Sequence, residues 1–332
     1  MNKEASPGFG ALIISLDFEL YWGVRDVLAS DQGYKKNLSG EHAAVPKILD
    51  LFREFEIGAT WATVGFLFAE SRQELEAFMP RSLPRYQEEI LSPYLDRFEE
   101  FAGNGSIHYA PELIDSIRRT PLQEIGTHTF SHYYCLERGQ DAESFSADIE
   151  SALAIAKAHG IDIRSIVFPR NQHNPEYDEV LVKHGISCYR GNQPSWMYDF
   201  NAGTQSNPIH RAARLADSYA NISGMNTYQW RQAKQGELVN IAASAFLRPV
   251  TRHRSLFNDL QFRRLAACLR YAAENRQFFH LWWHPHNFGL NTQENIAFLR
   301  RLFENFSELR EKHGIRSLSM AQAADLVRAY SS

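Results

Sequence analysis

The feature that most constrains this chain is a recurring unit: a short apolar run, rich in β-branched or aromatic residues, stops abruptly at a carboxylate or an imidazole and gives way to a helical stretch. Residues 10–17 (GALIISLD) are the first such run. An unbroken apolar run of this kind reads as a strand covered on both faces, the habit of parallel sheets. Its far end presents Asp17 and Glu19. A helical pattern over 43–55 and a second run at 58–67 (GATWATVGFL) complete a β-α-β unit. Strands are then expected at 123–127, 165–169, 187–189 and 277–283, and helices at 144–160, 175–185, 260–276 and 293–313, the last closing the chain. Alternation of this sort specifies a parallel α/β sheet.

Two segments interrupt the pattern. Residues 70–112 are charged and punctuated by Pro80, Pro84, Pro93 and Pro111, with a helical stretch expected at 85–101. Residues 193–254 mix Gly, Asn and aromatic side chains, and 238–247 fits a strand or a helix equally. Both read as insertions, and a chain of 332 residues is then one catalytic domain over 1–332, since α/β barrels commonly exceed ~250 residues.

Composition excludes several classes. With 35 basic and 39 acidic side chains the net charge is -4, which offers no footprint for a phosphate backbone, so nucleic acid is not an expected partner. Hydrophobic residues make up 44% of the chain, enough for a large core. Cys135, Cys188 and Cys268 are far apart and odd in number, which argues for buried thiols rather than disulfides. No stretch reaches the ~20 apolar residues of a membrane span, and no basic segment followed by a long apolar one opens the chain. The expectation is a soluble cytoplasmic protein, provided Met1 is its native start; the oligomeric state is left open.

Chemistry concentrates just after the expected strands, the edge where α/β barrels build their sites. In His128-Thr129-Phe130-Ser131-His132 two imidazoles stand at i and i+4, a spacing that on a helix puts both on one face and lets them share a metal ion. A hard carboxylate is the natural third ligand, with positions left open for water and substrate. Asp17 and Glu19, two apart on an extended chain, share a face: one can bind metal while the other takes a proton from water that the metal has acidified to a pKa of about 7. His284, delivered by the 277–283 strand, is a proton donor for a leaving nitrogen, and His286 is either a further contact or a core histidine. Arg170 either pairs with Asp17 or makes a surface ion pair, with Asn171 beside it. Trp22, with Tyr21, Trp196 and Trp283, either stacks on substrate or belongs to the core.

Taken in order, these residues resemble the polysaccharide deacetylases of the NodB-homology class, also called carbohydrate esterase family four, over about residues 11–289. The resemblance implies a distorted (β/α)7-type barrel with helical and loop insertions. It implies a divalent ion, zinc first, with cobalt, nickel or manganese also suited to such ligands, held by His128, His132 and one carboxylate. Asp17 matches the family's base aspartate in a motif usually written T-F-D-D-G, here Ser15-Leu16-Asp17-Phe18-Glu19. Phe18 replaces the second aspartate, the usual metal ligand, so the resemblance implies that Glu19 takes its place, as in the divergent D-x-[DE] branch. Phe168-Pro169-Arg170-Asn171 is a loose counterpart of the family's R-x-P-x-G, which implies Arg170 as the partner of Asp17, and His284 resembles the proposed general acid of the last motif.

The leading expectation is a metal-dependent N-deacylase, removing acetyl from an amino sugar of a cell-surface polysaccharide or of its cytoplasmic precursor. Hydrolysis of another C–N bond, in a cyclic imide or ureide, is the enzymatic alternative. An inactive glycan-binding or assembly protein is the non-enzymatic one.

Overall fold

In the computed structural model, which describes residues 7–28, 34–103, 105–199, 207–250 and 255–330, the first apolar run forms β1 (Ala11–Phe18), buried at every position. Its two faces do different work. Leu12, Ile14, Leu16 and Phe18 point outward into the layer that packs on the surrounding helices, while Ala11 and Ile13 point inward. Burying such side chains contributes roughly 1.5–3 kcal/mol each, which is why a strand polar on either face could not occupy this position.

The neighbours follow the chain. β2 (Ala59–Thr63), β3 (Gln123–Thr127), β4 (Ser165–Val167) and β5 (Cys188–Arg190) add in parallel on one side of β1, and β9 (Phe278–Trp283) on the other. The short β10 (Arg316–Leu318) pairs with the start of β1, and β6 (Lys234–Gln235) runs antiparallel beside β7 (Leu238–Asn240).

One stretch of chain closes the curl. β7 pairs with β5, and a few residues later β8 (Ala245–Phe246) pairs with β9. Between them the Ala243 amide donates to the Gly191 carbonyl on one side (2.9 Å) and the Ser244 amide to the His280 carbonyl on the other (2.8 Å). The staves of the resulting distorted α/β barrel are β1, β2, β3, β4, β5, the β7–β8 stretch and β9. The ambiguity over 238–247 thus resolves in favour of strand.

The helix Met320–Tyr330 fills the floor of the barrel, setting Met320, Ala323, Ala324 and Val327 against Ala11, Ile13 and Phe278. Higher up, the lining turns polar with Ser15, Asp17, Arg190 and His280, all buried. The floor is sealed by apolar contact, so the usable opening is the rim where the strands end.

Three expectations fail. Residues 85–101 form no long helix but two single turns, Glu89–Leu91 and Pro93–Leu95, because Pro93 has no N–H to give and its ring obstructs the preceding turn. The helix expected at 43–55 spans Lys35–Glu54; its first turns bury only Leu38 and Glu41, so they carry no apolar periodicity to read. The helix Thr292–His313 does not close the chain, since β10 and the floor helix follow it. The 70–112 segment contributes the helix Arg72–Ala77 and the two turns, and 193–254 contributes the helix Pro208–Ala220, β6, β7 and β8. The parts of the latter at 200–206 and 251–254 lie outside the described residues. All three cysteines are buried free thiols, and no helix among the described residues is long and apolar enough to cross a membrane.

Candidate metal centre

Glu19, His128 and His132 converge at the barrel rim, each buried, with one ligand atom apiece lying within 4.8 Å of the others. Glu19 Oε2 stands 3.2 Å from His128 Nε2 and 3.1 Å from His132 Nε2. Ligands ~2.0–2.1 Å from a tetrahedral ion are separated by about 3.3 Å, so the three atoms fit a divalent cation.

Tautomer chemistry strengthens the fit. His128 Nδ1 lies 2.7 Å from the Val167 carbonyl, which can only accept, so Nδ1 donates there and Nε2 is the ring atom turned to the Glu19 carboxylate and left to serve as a metal ligand. Burial drops the His132 imidazole to about 4 against the pull of Glu19, leaving it neutral as a ligand must be. Burial alone would push the Glu19 carboxyl up, yet His284, His128 and His132 bring it well below the usual range.

The two histidines do not lie on a helix, as their spacing had suggested. Residues 128–132 are an irregular loop in which Thr129 and His132 adopt φ of 64° and 59°, a left-handed conformation that costs a non-glycine residue roughly 1–2 kcal/mol. The cost is met by surrounding bonds. The His128 amide donates to Thr63 (2.9 Å), the Thr129 and Phe130 carbonyls accept from Gly65 (2.9 Å) and Phe66 (3.1 Å), and the Phe130 and Ser131 amides donate to Asp148 at 2.7 and 3.2 Å. Gly65 is required here, because a Cβ would sit 2.8 Å from Phe130 Cα. At Gly23 a Cβ would fall 2.0 Å from Glu19 Oε1, so the carboxylate of Glu19 occupies the space that a missing side chain leaves.

Asp17 adjoins the triad. Arg190, the last residue of β5, grips it with Nη1 on Oδ1 at 2.6 Å and Nη2 on Oδ2 at 2.8 Å. Nη1 also reaches Ser15 Oγ (2.9 Å) and Nη2 reaches Asn171 Oδ1 (2.9 Å), while the guanidinium lies 4.1 Å from the centroid of Trp282. His280 completes the group, bridging Ser15 Oγ and the Ile241 carbonyl, both at 2.8 Å. Burial pushes the Asp17 carboxyl up, but Arg190 foremost, with His128, holds it below the usual value, so it is ionised. Across from it His284 Nε2 lies 3.7 Å from Asp17 Oδ2 and 3.4 Å from Glu19 Oε1.

Arg170 does not partner Asp17. It adopts φ 54°, and its guanidinium turns to Asp26 and Glu137 and lies over the Tyr134 ring. The partner is Arg190, which the sequence reading passed over by ending that strand at Tyr189; the rule that strand-end polar residues face the site would have found it. Trp22 is fully buried, donates Nε1 to the His108 carbonyl (3.0 Å) and packs on Phe66 and Phe98, so it is core rather than a substrate contact. Asn171 and His286 do line the cleft, His286 with its ring 5.0 Å from that of His284 in a near-parallel stack. The cleft has a volume of about 830 Å³ and contains Asp17, Glu19, His128, His132 and His284.

Fold and site together define a class: an α/β barrel with a two-histidine, one-carboxylate cluster suited to a metal ion at the strand ends. Residues 27–189 match the family model described as polysaccharide deacetylase. The matched span includes His128 and His132 but not Asp17, Glu19, Arg190 or His284. Among solved structures the chain is similar to a protein assigned as a polysaccharide deacetylase from Mycobacterium smegmatis, at 15% identity and TM-score 0.60 over 98% of this chain and 93% of that one. A protein described as a probable polysaccharide deacetylase from Pseudomonas aeruginosa PAO1 gives 10% identity and TM-score 0.54, covering 96% and 90%. Puue allantoinase gives 12% and 0.51, covering 99% and 92%. At these identities the likeness bears on the fold. No curated protein matches the sequence.

Proposed function

We propose that the protein is a metal-dependent N-deacylase, removing an acyl group, acetyl first, from an amino sugar of a cell-surface polysaccharide or its precursor, and that residues 1–332 act as one catalytic domain. The observation that carries this reading is the meeting of the Glu19–His128–His132 triad with an arginine-clasped Asp17 and with His284 in one cleft.

Glu19 Oε2, His128 Nε2 and His132 Nε2 would hold the ion. Bound there, a divalent metal supplies Lewis acidity toward a carbonyl oxygen and acidifies water. Asp17, kept ionised by Arg190, takes the proton from the attacking water at a carboxylate oxygen. His284 Nε2, close to both carboxylates, gives a proton to the nitrogen, which otherwise leaves poorly as an anion. The C–N bond breaks, the water oxygen stays with the acyl group as a carboxylic acid, and the amine departs neutral. Because Asp17 and His284 are separate groups on β1 and β9, base and acid need not be one residue used twice.

The test is a screen of protein loaded with zinc, cobalt or nickel against N-acetylated amino sugars, chito-oligosaccharides and cyclic imides, following released acetate and opened ring. Acetate release that disappears in Asp17→Asn supports the reading. Ring opening without acetate from any sugar, or no divalent ion retained at all, overturns it.

A further inference from the structure

The wall of the cleft built by the 193–254 segment is cationic. Arg248, two residues past Phe246, is fixed at three points: its amide donates to Gln261 Oε1 (3.0 Å), its carbonyl accepts from Gln261 Nε2 (3.1 Å) and its Nε donates to Ser218 Oγ (2.8 Å). Among the described residues neither terminal nitrogen of Arg248 has a protein acceptor, and it lines the cleft. Arg214, on the helix Pro208–Ala220, lines the same wall, anchored by Nη1 on the Met197 carbonyl (2.8 Å).

Several other charges of the cleft are matched to one another. Arg190 holds Asp17, Arg170 holds Asp26 and Glu137, and Glu19 faces the two histidines. Asp217, the acid nearest Ser218 in sequence, is buried and turned to Arg264, the Tyr198 hydroxyl and Ser223. Burial depresses the Arg248 guanidinium, opposed only by the phenols of Tyr219 and Tyr198, and it depresses Arg214 as well. Arg248 is thus a half-buried cation that no carboxylate among the described residues pairs with, which is costly to keep. Its retention is explained when the ligand brings the anion.

Phe246 links this wall to the reacting centre, its ring centroid 5.8 Å from the Arg248 guanidinium and 5.7 Å from the His284 ring. We propose that Arg248 is the centre of an anion subsite, on the wall that Arg214 also lines, and that the substrate carries a phosphoryl or carboxylate group in addition to the amide cut beside His284. The identity of the cut bond rests on the deacylase reading; the subsite does not.

The experiment has two arms, both on the full chain. In the first, acetate release from N-acetylglucosamine, N-acetylglucosamine 1-phosphate and N-acetylmuramic acid is measured with zinc-loaded wild type, Arg248→Met and Arg248→Lys, the sugars separating a neutral, a phosphoryl and a carboxylate ligand. In the second, calorimetry follows glucosamine 1-phosphate binding to metal-free protein, and thermal unfolding checks that the variants fold. Wild type should favour one anionic sugar over the neutral one, and Arg248→Met should lose about 10- to 100-fold more kcat/KM on that sugar than on the neutral one, mostly through KM. Arg248→Lys should retain part of the preference. If Arg248-dependent binding persists without acetate release, the subsite stands and the deacylase reading fails. If acetate is released with no anionic preference, or Arg248→Met affects neutral and anionic sugars alike and leaves calorimetric binding intact, the subsite is overturned.

Discussion

Arg190 and Asp17 form a two-toothed ion pair inside the barrel, with N–O distances of 2.6 and 2.8 Å and both side chains almost wholly excluded from water. The guanidinium plane matches the carboxylate plane, so the pair fixes the orientation of Asp17 as well as its charge. Nη1 and Nη2 each make a further bond, to Ser15 and Asn171, which leaves the carboxylate little freedom to turn away from the cleft.

Removing the guanidinium should therefore change both stability and titration. In Arg190→Gln a buried carboxylate is left uncompensated, which costs about 3–5 kcal/mol. Because Arg190 lowers the Asp17 carboxyl against burial, its loss raises that value, and the acid limb of kcat/KM should move to higher pH. Arg170→Gln, which breaks contacts to Asp26 and Glu137 instead, should leave the limb in place. A limb that moves in Arg170→Gln and not in Arg190→Gln would assign the partners the other way round.

The metal triad makes its own prediction. Wild type should retain about one divalent ion per chain after desalting, measured by elemental mass spectrometry. Glu19→Ala and His132→Ala should not, while Asp17→Asn should retain it and lose turnover. Metal at ~100 times its Kd should stabilise the fold by about 2.7 kcal/mol, visible as a rise in Tm that a chelator reverses. Equal metal content in wild type and Glu19→Ala would remove Glu19 from the ligand set.

Asp148 reaches from the helix Ala142–Ala158 to the Phe130 and Ser131 amides. It thereby holds the loop whose left-handed Thr129 and His132 aim the second imidazole. Asp148→Ala strands two buried amide donors at ~1–3 kcal/mol each, so a loss of roughly 2–6 kcal/mol is expected in urea unfolding. Metal affinity should fall with it, although Asp148 touches no metal. A destabilised variant with unchanged metal affinity would show that the loop keeps its shape without this anchor.

Much of the barrel was legible because its signal is local. An apolar run ending in charge shows up in five or six residues, so β1, β3 and β9 were placed nearly to the residue. The loop at 128–132 was not legible, because an i, i+4 spacing fits a helix as well as a loop whose shape is set by Asp148 and Gly65, far away in sequence. Arg190 was hidden for a related reason: a cation after a three-residue strand is ordinary, and only the closure of β5 beside β7 and β4 turns it toward Asp17. Trp22 and Trp196 carry the same side chain and opposite fates, fully buried and 58% exposed, which composition could not separate.

Glu41 is buried with both carboxylate oxygens lacking a hydrogen-bond partner. Burial first, and the charge of Glu19 second, raise its pKa well above the ordinary 4.5. A group raised on folding takes up its proton more readily in the folded state, so its contribution is present below the unfolded value and is lost as pH rises through the folded one. Stability of the metal-free protein should thus decline from about pH 5 upward, and Glu41→Met, similar in volume and apolar, should flatten the decline and gain about 1–3 kcal/mol at pH 8. Parallel pH profiles for the two proteins would show that Glu41 finds a partner in solution.

His284 faces both carboxylates through Nε2, and its ring is backed by the buried His286, whose imidazole burial lowers to about 3. His286 therefore stays neutral and serves as a rigid backing rather than a competing acid. If His284 protonates the leaving nitrogen, His284→Gln should lower kcat on an amide by about 10²–10⁴ with KM and metal content little changed. The deficit should shrink on an aryl acetate, whose phenolate departs without help, because the proton is then no longer needed. Equal losses on amide and aryl ester would mean that His284 orients Asp17 or Glu19 and is not the acid, and the proton would have to return to the nitrogen from Asp17.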